Sequence, residues 1–283
     1  MKPKHSISLL AALSVASAAL LNADPIPDSY RQNGWFVGAQ AYTFKEFTAF
    51  EAIAKTKEAG GNMIEFFPGQ KMKPNSEEKV HHSMSEAAMA ELKAECLRQG
   101  VRPVNYGVVG AKNSDDVRDI MLFAKKMELY SVCTESTELI VDWEACAKAF
   151  DMRVAFHEHG GSMSNPNYKV WNPLYILGVV ESRDERVGAC ADLGHWCTSH
   201  LKPVECLRIL DGRIVSVHLK DKAANGKAPV VVAGAGVVDV AACLEELKRQ
   251  KFDGHISIEH EADWNDSVPQ VKANIDFVKA HAK

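Results

Sequence analysis

The sequence predicts an α/β protein that forms a single closed parallel (β/α)8 barrel, and three observations support this prediction. Eight β-like runs alternate with eight helical patterns over about 250 residues, the usual size of such a barrel. The first strand is followed by Gln40-Ala41-Tyr42-Thr43, not by the glycine-rich phosphate loop that would favour an open doubly wound sheet. Four later strands turn abruptly polar at their carboxyl ends, where barrels of this kind carry their active sites.

The first four strand–helix pairs follow from apolar runs and from residues that favour helix starts. Ser85 and Ser114 stand where each could cap a helix, and Asp115 and Asp116 then fall in the first turn of the third helix, where negative charge is favourable. The predicted pairs cover residues 36–42 and 46–59, 62–67 and 85–99, 101–109 and 114–127, and 129–133 and 138–150.

The last four pairs continue the same alternation. The stretch from Gly234 to Asp239 reads as a flexible turn in which Asp239 caps the next helix. The predicted pairs cover residues 152–157 and 173–182, 187–192 and 203–210, 214–219 and 240–250, and 255–259 and 268–280. No linker or shift in composition divides these pairs between two domains.

The amino terminus has the composition of a secretory signal peptide. Lys2 and Lys4 precede an apolar run over residues 7–21, which is followed by the two small residues Asn22 and Ala23. We therefore expect a signal peptide at 1–23, an N-terminal arm at 24–34, a barrel domain at 35–283, and export to the periplasm or the medium. Cleavage after Ala18 and an uncleaved anchor are the alternatives, and we expect no membrane span after cleavage.

Charge and cysteine usage exclude other classes of protein. Loss of residues 1–23 removes two lysines and no acid, which leaves 31 basic against 37 acidic side chains and a net charge of −6. An acidic surface disfavours nucleic-acid binding. The seven cysteines are odd in number and form no C-x-x-C pair, so they indicate neither a disulfide framework nor a structural zinc site. Most are interpreted as buried small apolar residues.

Alternation along the four polar-ended strands predicts which side chains face the barrel interior. Residues two apart share a face, and the bulky apolar face, which includes Val215, must meet the helices. Glu158 is expected to point outward unless its strand has already ended. The side chains that are predicted to converge at successive strand ends are His157, Asp192, His218 and Glu259.

Two imidazoles and two carboxylates at matched positions predict a divalent metal site. Nitrogen and oxygen ligands without thiolate suit Mn, Co, Zn, Fe or Mg better than calcium. A single interior histidine is more often a hydrogen-bonded core residue than a ligand. Four such residues at four neighbouring strand ends favour a site instead.

Three further residues are candidates for binding the substrate. A predicted turn at Gly194 would bring His195 to the cavity, Lys220 could hold a substrate oxygen at the end of the seventh strand, and Glu65 ends the second strand on an inward face. Ordinary turn chemistry is an equal alternative for Glu65, and likewise for Gln40 and Glu135, which also stand near strand ends. Asp221 could only cap its loop, and the pair His81-His82 is expected to be solvated rather than to overhang the site.

Five motifs together resemble those of a known family. They are F-H-E-H-G-G from Phe156, D-L-G-H-W from Asp192, V-H-L-K-D from Val217, G-A-G-V-V-D from Gly234 and I-S-I-E-H-E from Ile256. In combination, over roughly residues 35–281, they resemble the sugar phosphate isomerase/epimerase family, whose members are xylose isomerase-like TIM barrels of the AP endonuclease 2 superfamily.

The resemblance implies a divalent metal held by a carboxylate from the fifth strand and by Asp192, His218 and Glu259. It also implies that two glutamates exchange a proton on opposite sides of the substrate. Here the fifth-strand position falls on His157, which departs from the family pattern. Glu158 or Glu135 could then supply the second carboxylate.

These observations lead to the hypothesis of an exported, metal-dependent isomerase or epimerase that acts on a small, non-phosphorylated keto sugar. Glu259, helped by His157 or Glu158, would move a proton on the carbon next to a metal-bound oxygen. The alternatives are a lyase or dehydratase that acts on a keto sugar or keto-glycoside, and a non-catalytic carbohydrate-binding barrel. An endonuclease-like phosphodiesterase is disfavoured by the acidic charge and the signal peptide.

Overall fold

A computed structural model describes residues 25–161 and 163–283, so the predicted signal peptide at 1–23 lies outside the described residues. Eight parallel strands close into a barrel in the spatial order β1-β8-β7-β6-β5-β4-β3-β2, which confirms the predicted fold class. The strands are β1 Phe36–Gln40, β2 Met63–Phe66, β3 Arg102–Tyr106, β4 Ser131–Thr134, β5 Arg153–His157, β6 Val187–Asp192, β7 Ile214–Leu219 and β8 His255–Ile258.

Helices cover the outside of the barrel. In the described part of the chain, none of them is long and apolar enough to cross a membrane. The α-helices are α1 Ala49–Glu58, α2 Glu86–Gln99, α3 Ser114–Lys126, α4 Ile140–Phe150, α5 Pro173–Val180, α6 Leu193–Thr198, α7 Pro203–Ile209, α8 Val240–Arg249 and α9 Val268–Ala280.

The helix starts agree with two of the predicted caps and correct a third. Ser85 caps α2 by accepting from the backbone N–H of Ala88, and Asp239 caps α8 in the same way. The prediction that Ser114 caps α3 is wrong. Asn113 is the cap, since its side chain accepts from the N–H of Asp116, and Ser114 is the first helical residue. Asparagine and serine are about equally good caps, so sequence alone did not separate them.

Two local elements depart from the sequence prediction. The predicted turn at Gly194 is a short helix, α6, in which the side chain of Asp192 accepts from the N–H of His195 at 2.8 Å. A small antiparallel hairpin formed by Asp221–Lys222 and Val230–Val231 also follows β7. Both elements are too short to give a periodic signal.

The barrel interior is filled at its amino end. Ile26, from the segment before β1, is 2% exposed and packs with Phe36 and Met63 in an interior cluster. Val215 belongs to this cluster too, so the prediction that it faces the helices is wrong. The pairing of β6 with β7 shifts register between Ala189 and Cys190, beside Val215, and strict alternation fails there.

The loop after β7 is held by one carboxylate. Asp221 accepts from the backbone N–H groups of Gly234, Gly236 and Val238 at 2.9 to 3.0 Å. A Cβ on Gly236 would lie 2.3 Å from Oδ1 of Asp221, so only glycine allows this close approach. Asp221 therefore organises the loop, which agrees with its interpretation as a loop-capping residue.

Candidate active site

The carboxyl ends of the strands surround a pocket of about 390 Å³, within the range of small-molecule sites. One side of the pocket is aromatic and apolar, and includes Tyr42, Phe67 and Val108. The other side is polar and includes three of the eight predicted site residues, His157, His195 and Glu259, together with Gln40, Glu135, His159 and Glu261.

Three of the four predicted ligands form one group. Nδ1 of His218 lies 3.3 Å from Oε2 of Glu259 and 3.7 Å from Oδ2 of Asp192. The ligand atoms of these three residues all lie within 4.8 Å of one another, and all three residues are buried. The pairing of Asp192 with His218 in the β6–β7 register creates this approach.

The fourth predicted ligand falls in a second group that shares Asp192. Nε2 of His157 lies 3.4 Å from Oδ2 of Asp192, and Nε2 of His195 lies 3.7 Å from the same oxygen. His157, Asp192 and His195 together form a group of possible ligands. The four predicted ligands therefore meet at Asp192 as two overlapping groups.

Glu65 orients His218 from beneath the pocket. Both of its carboxylate oxygens lie 3.0 Å from Nε2 of His218, and Oε2 also accepts from the hydroxyl of Ser257. The side chain is fully buried. In this position Glu65 supports a site residue. Its predicted role in substrate binding would require it to face the pocket, which it does not.

A second carboxylate orients His157. Oε1 of Glu135 lies 3.1 Å from Nδ1 of His157, and Oε2 accepts from the hydroxyl of Tyr168 at 2.9 Å. The same hydroxyl lies 2.9 Å from Nδ1 of His159. Sequence reasoning missed Tyr168, because it lies in a loop whose path no periodic pattern predicts.

The orientation of both histidines leaves a centre that fits a cation. Because Glu65 and Glu135 accept at the far nitrogens, Nδ1 of His218 and Nε2 of His157 are the nitrogens turned toward Asp192. Those two nitrogens and Oδ2 of Asp192 are buried without a hydrogen bond among the described residues, and the nearest cation to Oδ2 is the ammonium of Lys220 at 3.1 Å. Buried polar atoms rarely lack partners, so three that face one another indicate a place for a positive charge.

The electrostatics of the group agree with that geometry. Burial lowers the pKa of His157, but the carboxylates of Asp192 and Glu135 beside the ring outweigh burial and raise the pKa to about 10. Burial likewise opposes the neighbouring anions at His218, whose pKa is nevertheless raised well above its usual value. The carboxylates thus create a strongly negative centre that favours a bound cation, whether a proton or a metal ion. Imidazole and carboxylate donors suit a divalent transition metal or magnesium.

Lys220 is enclosed by the same carboxylates. Its ammonium lies 3.1 Å from Oδ2 of Asp192, 2.7 Å from Oε2 of Glu259 and 2.5 Å from Oε1 of Glu261. A Cβ on Gly194 would lie 2.2 Å from Cγ of Lys220, so the glycine leaves room for this side chain. At 2% exposure, Lys220 is occupied with protein carboxylates, whereas the predicted role was to hold a substrate oxygen.

Glu158 lies outside the site. Its carboxyl group accepts a hydrogen bond from Nε1 of Trp196 in α6. Burial raises the pKa of Glu158 well above its usual value, which disfavours the charged form of this carboxyl group. The structure therefore does not support the predicted catalytic role of Glu158. Although β5 ends at His157, the side chain of Glu158 points outward, as the alternation of the strand predicted.

His81 and His82 stack on each other in the loop after β2, with ring centroids 4.0 Å apart. His81 is half-buried, and Nδ1 of His82 lies 3.5 Å from the hydroxyl of Tyr106. Neither lines the pocket described above. All seven cysteines are free thiols, and two of them, Cys133 and Cys190, lie in the interior beneath His218.

A family model for xylose isomerase-like TIM barrels matches residues 135–281 of the chain. Among curated proteins, the rhizopine catabolism protein MocC of Rhizobium meliloti is 31% identical over 143 residues, which cover 44% of this chain and 42% of that protein. The match thus spans less than half of the length of that relative.

Solved structures match over much more of the chain. An uncharacterised protein from Parabacteroides distasonis ATCC 8503 is 29% identical with a TM-score of 0.71, over 87% of this chain and 98% of that one. D-psicose 3-epimerase from Clostridium cellulolyticum H10, solved with D-tagatose, is 13% identical with a TM-score of 0.67, over 87% and 99% of the two chains. The second likeness establishes a shared fold alone. Because the family model matches more than half of the length of the chain, the chain belongs to the xylose isomerase-like TIM barrel family.

Proposed function

We propose that the protein is a metal-dependent isomerase or epimerase that acts on a non-phosphorylated keto sugar. One observation carries this proposal: the carboxylate of Glu259 belongs to the three-residue ligand group and also lines the pocket. A base in that position lies beside both the substrate and the site of a cation. The D-psicose 3-epimerase that shares the fold provides a precedent for sugar chemistry on such a barrel.

Asp192, His218 and Glu259 would hold the ion, with Glu65 fixing the ring of His218. When bound, a divalent ion would polarise the carbonyl and hydroxyl oxygens of a keto sugar and so make the adjacent C–H more acidic. His157 is left out of this ligand set because it groups with His195 instead.

Glu259 is suited to remove the proton. Burial alone would raise its pKa, but Lys220 and His218 outweigh burial and hold the pKa well below its usual range. The carboxylate is therefore ionised at neutral pH and accepts a proton from the substrate carbon. His157, hydrogen-bonded to Glu135 and lining the same pocket, would return a proton, to the opposite face of the same carbon in an epimerase or to the neighbouring carbon in an isomerase.

The charge of the pocket selects for a neutral substrate. Three glutamates line it, Glu135, Glu259 and Glu261, while no arginine or lysine does so in the described part of the chain. A phosphate group would be repelled by these carboxylates, and no arginine or lysine of this lining would pair with it. Tyr42 and Phe67, whose ring centroids are 5.3 Å apart, offer an apolar wall for the C–H face of a sugar.

A lyase or dehydratase is the second candidate, and the asymmetry of the site favours it. Epimerisation between two glutamates uses equivalent groups, whereas this pocket carries a carboxylate, Glu259, and an imidazole, His157. An elimination needs one base to remove the proton and one acid to protonate the leaving oxygen. The His157–Glu135 pair could be that acid.

Proton NMR of the purified mature protein in D2O tests these proposals. The protein, with its metal content measured, is incubated with neutral keto and aldo sugars, and Glu259→Gln serves as the inactive variant. Deuterium incorporation with a new sugar would support the isomerase or epimerase, and an unsaturated product the lyase. Bound metal with neither outcome would overturn both and favour a carbohydrate-binding barrel, and absence of metal would overturn the proposed ligand site.

A further inference from the structure

Lys220 lies within both groups of candidate ligands. Its ammonium is 2.7 Å from Oε2 of Glu259 in the first group and 3.1 Å from Oδ2 of Asp192, which the two groups share. It is also 3.4 Å from Nε2 of His195, which belongs to the second group alone. The ammonium thus contacts two of the three ligand atoms of each group. A divalent ion held by the first group would leave the second group to the ammonium.

We propose that Lys220 is a built-in cation that takes the second of two overlapping cation positions, the one between His157, Asp192 and His195, and so limits the site to one divalent ion. This inference rests on the proposed binding of a metal ion by Asp192, His218 and Glu259. It assigns to Lys220 a role toward the ion instead of toward the substrate.

The position of Lys220 is built into the fold. The side chain is 2% exposed and reaches the centre past Gly194, where any larger residue would collide with it. An ammonium buried this deeply requires compensating anions, and three carboxylates surround it, those of Asp192, Glu259 and Glu261.

The charges balance with one ammonium and one divalent ion. Asp192, Glu259 and Glu261 carry three negative charges, which Lys220 and a divalent cation neutralise together. A second divalent ion would bring two further positive charges next to the ammonium at the shared oxygen of Asp192. Repulsion at that distance is strong in a buried site. Removal of the lysine both opens the space and leaves negative charge unbalanced.

The test is the number of cobalt ions bound per chain after equilibration with excess Co²⁺, measured by elemental analysis together with calorimetric titration. We expect one ion for the wild type, two for Lys220→Ala, and one again for Lys220→Ala combined with His195→Ala, which removes a ligand of the second group alone. Lys222→Ala is the matched control, because this half-buried lysine lies two residues further along, and it should bind one ion.

Two ions in the wild type, or one ion in Lys220→Ala bound with wild-type affinity, would overturn the inference. Absence of any ion from the folded wild type would instead overturn the proposed function on which it rests. If Lys220→Ala does not fold, anomalous diffraction from wild-type crystals in Co²⁺ decides the question. One peak beside His218 and Glu259 supports the inference, and a peak between His157 and His195 contradicts it.

Discussion

Both carboxylate oxygens of Glu65 lie 3.0 Å from Nε2 of His218, although the two residues are 153 positions apart. This contact crosses the barrel interior from β2 to β7 and determines which nitrogen of the imidazole faces Asp192. Such outer carboxylates fix the tautomer of a metal-binding histidine and increase its basicity.

We therefore expect Glu65→Gln to weaken binding of a divalent ion by about 10- to 100-fold, since such outer-shell partners usually contribute that much. Calorimetric titration with Co²⁺ measures the effect. Ser257→Ala is the control, because it removes the other hydrogen bond of Glu65 and leaves the contact with His218 in place. Equal affinity for Glu65→Gln and the wild type would show that the contact does not tune His218.

The division of the ligands into two groups predicts different results for the two histidines. His218→Ala should abolish ion binding, whereas His157→Ala should reduce affinity by less than about tenfold while lowering proton exchange by about 100-fold or more, the usual contribution of an acid–base group. Co²⁺ titration and deuterium exchange into the sugar separate the two effects. If both variants lose the ion equally, His157 is a fourth ligand.

Glu158 and Glu259 provide a contrast between two buried carboxyl groups. Because Glu158 faces Trp196 and burial raises its pKa, which disfavours the charged form, Glu158→Gln should retain deuterium exchange and change the free energy of unfolding by no more than about 1 kcal/mol. Glu259→Gln should lose exchange. Loss of exchange in folded Glu158→Gln would show that Glu158 takes part in catalysis, as the sequence predicted.

His255 should make stability depend on pH. Burial lowers its pKa from 6.5 to about 4, so below pH 6.5 the unfolded chain takes up a proton that the folded protein does not take up until about pH 4. Stability is therefore lost as the pH falls through this window, by about 3 kcal/mol in all. Urea unfolding at pH 7 and pH 4.5 should show a smaller loss for His255→Gln than for the wild type. Identical losses would exclude His255 as the source.

Asp221 should stabilise the loop after β7. Its carboxylate accepts from three loop N–H groups, at Gly234, Gly236 and Val238, and Asp221→Ala leaves them without that acceptor. We expect a loss of about 3 kcal/mol in the free energy of unfolding, measured with urea. Asp239→Asn is the matched control, since asparagine caps helices about as well as aspartate. A loss similar to that of the control would mean that the loop does not depend on Asp221.

The barrel and the positions of the strand ends were predictable from the sequence, because alternation and period determine which residues share a face. The four predicted ligands do meet at the carboxyl end of the barrel: His157, Asp192, His218 and Glu259. Glu158 points outward by the same rule. These features depend on local geometry, which a single strand already defines.

The partners of those residues were not predictable, since they depend on contacts across the barrel. Glu65 reaches His218 from a strand that is not adjacent to it, and Lys220 turns to Asp192 because α6 places Gly194 beside it. The pairing of β6 with β7 also shifts register between Ala189 and Cys190. No pattern of residue types carries that information.

The interior cluster around Ile26 has a kinetic consequence. Because that cluster fills the amino end of the barrel, the described part of the chain gives the pocket its opening at the carboxyl end. Substrate and product then enter and leave through the same opening, so the product must dissociate before the next substrate molecule binds. A product that resembles its precursor as closely as two epimers do would therefore act as a competitive inhibitor.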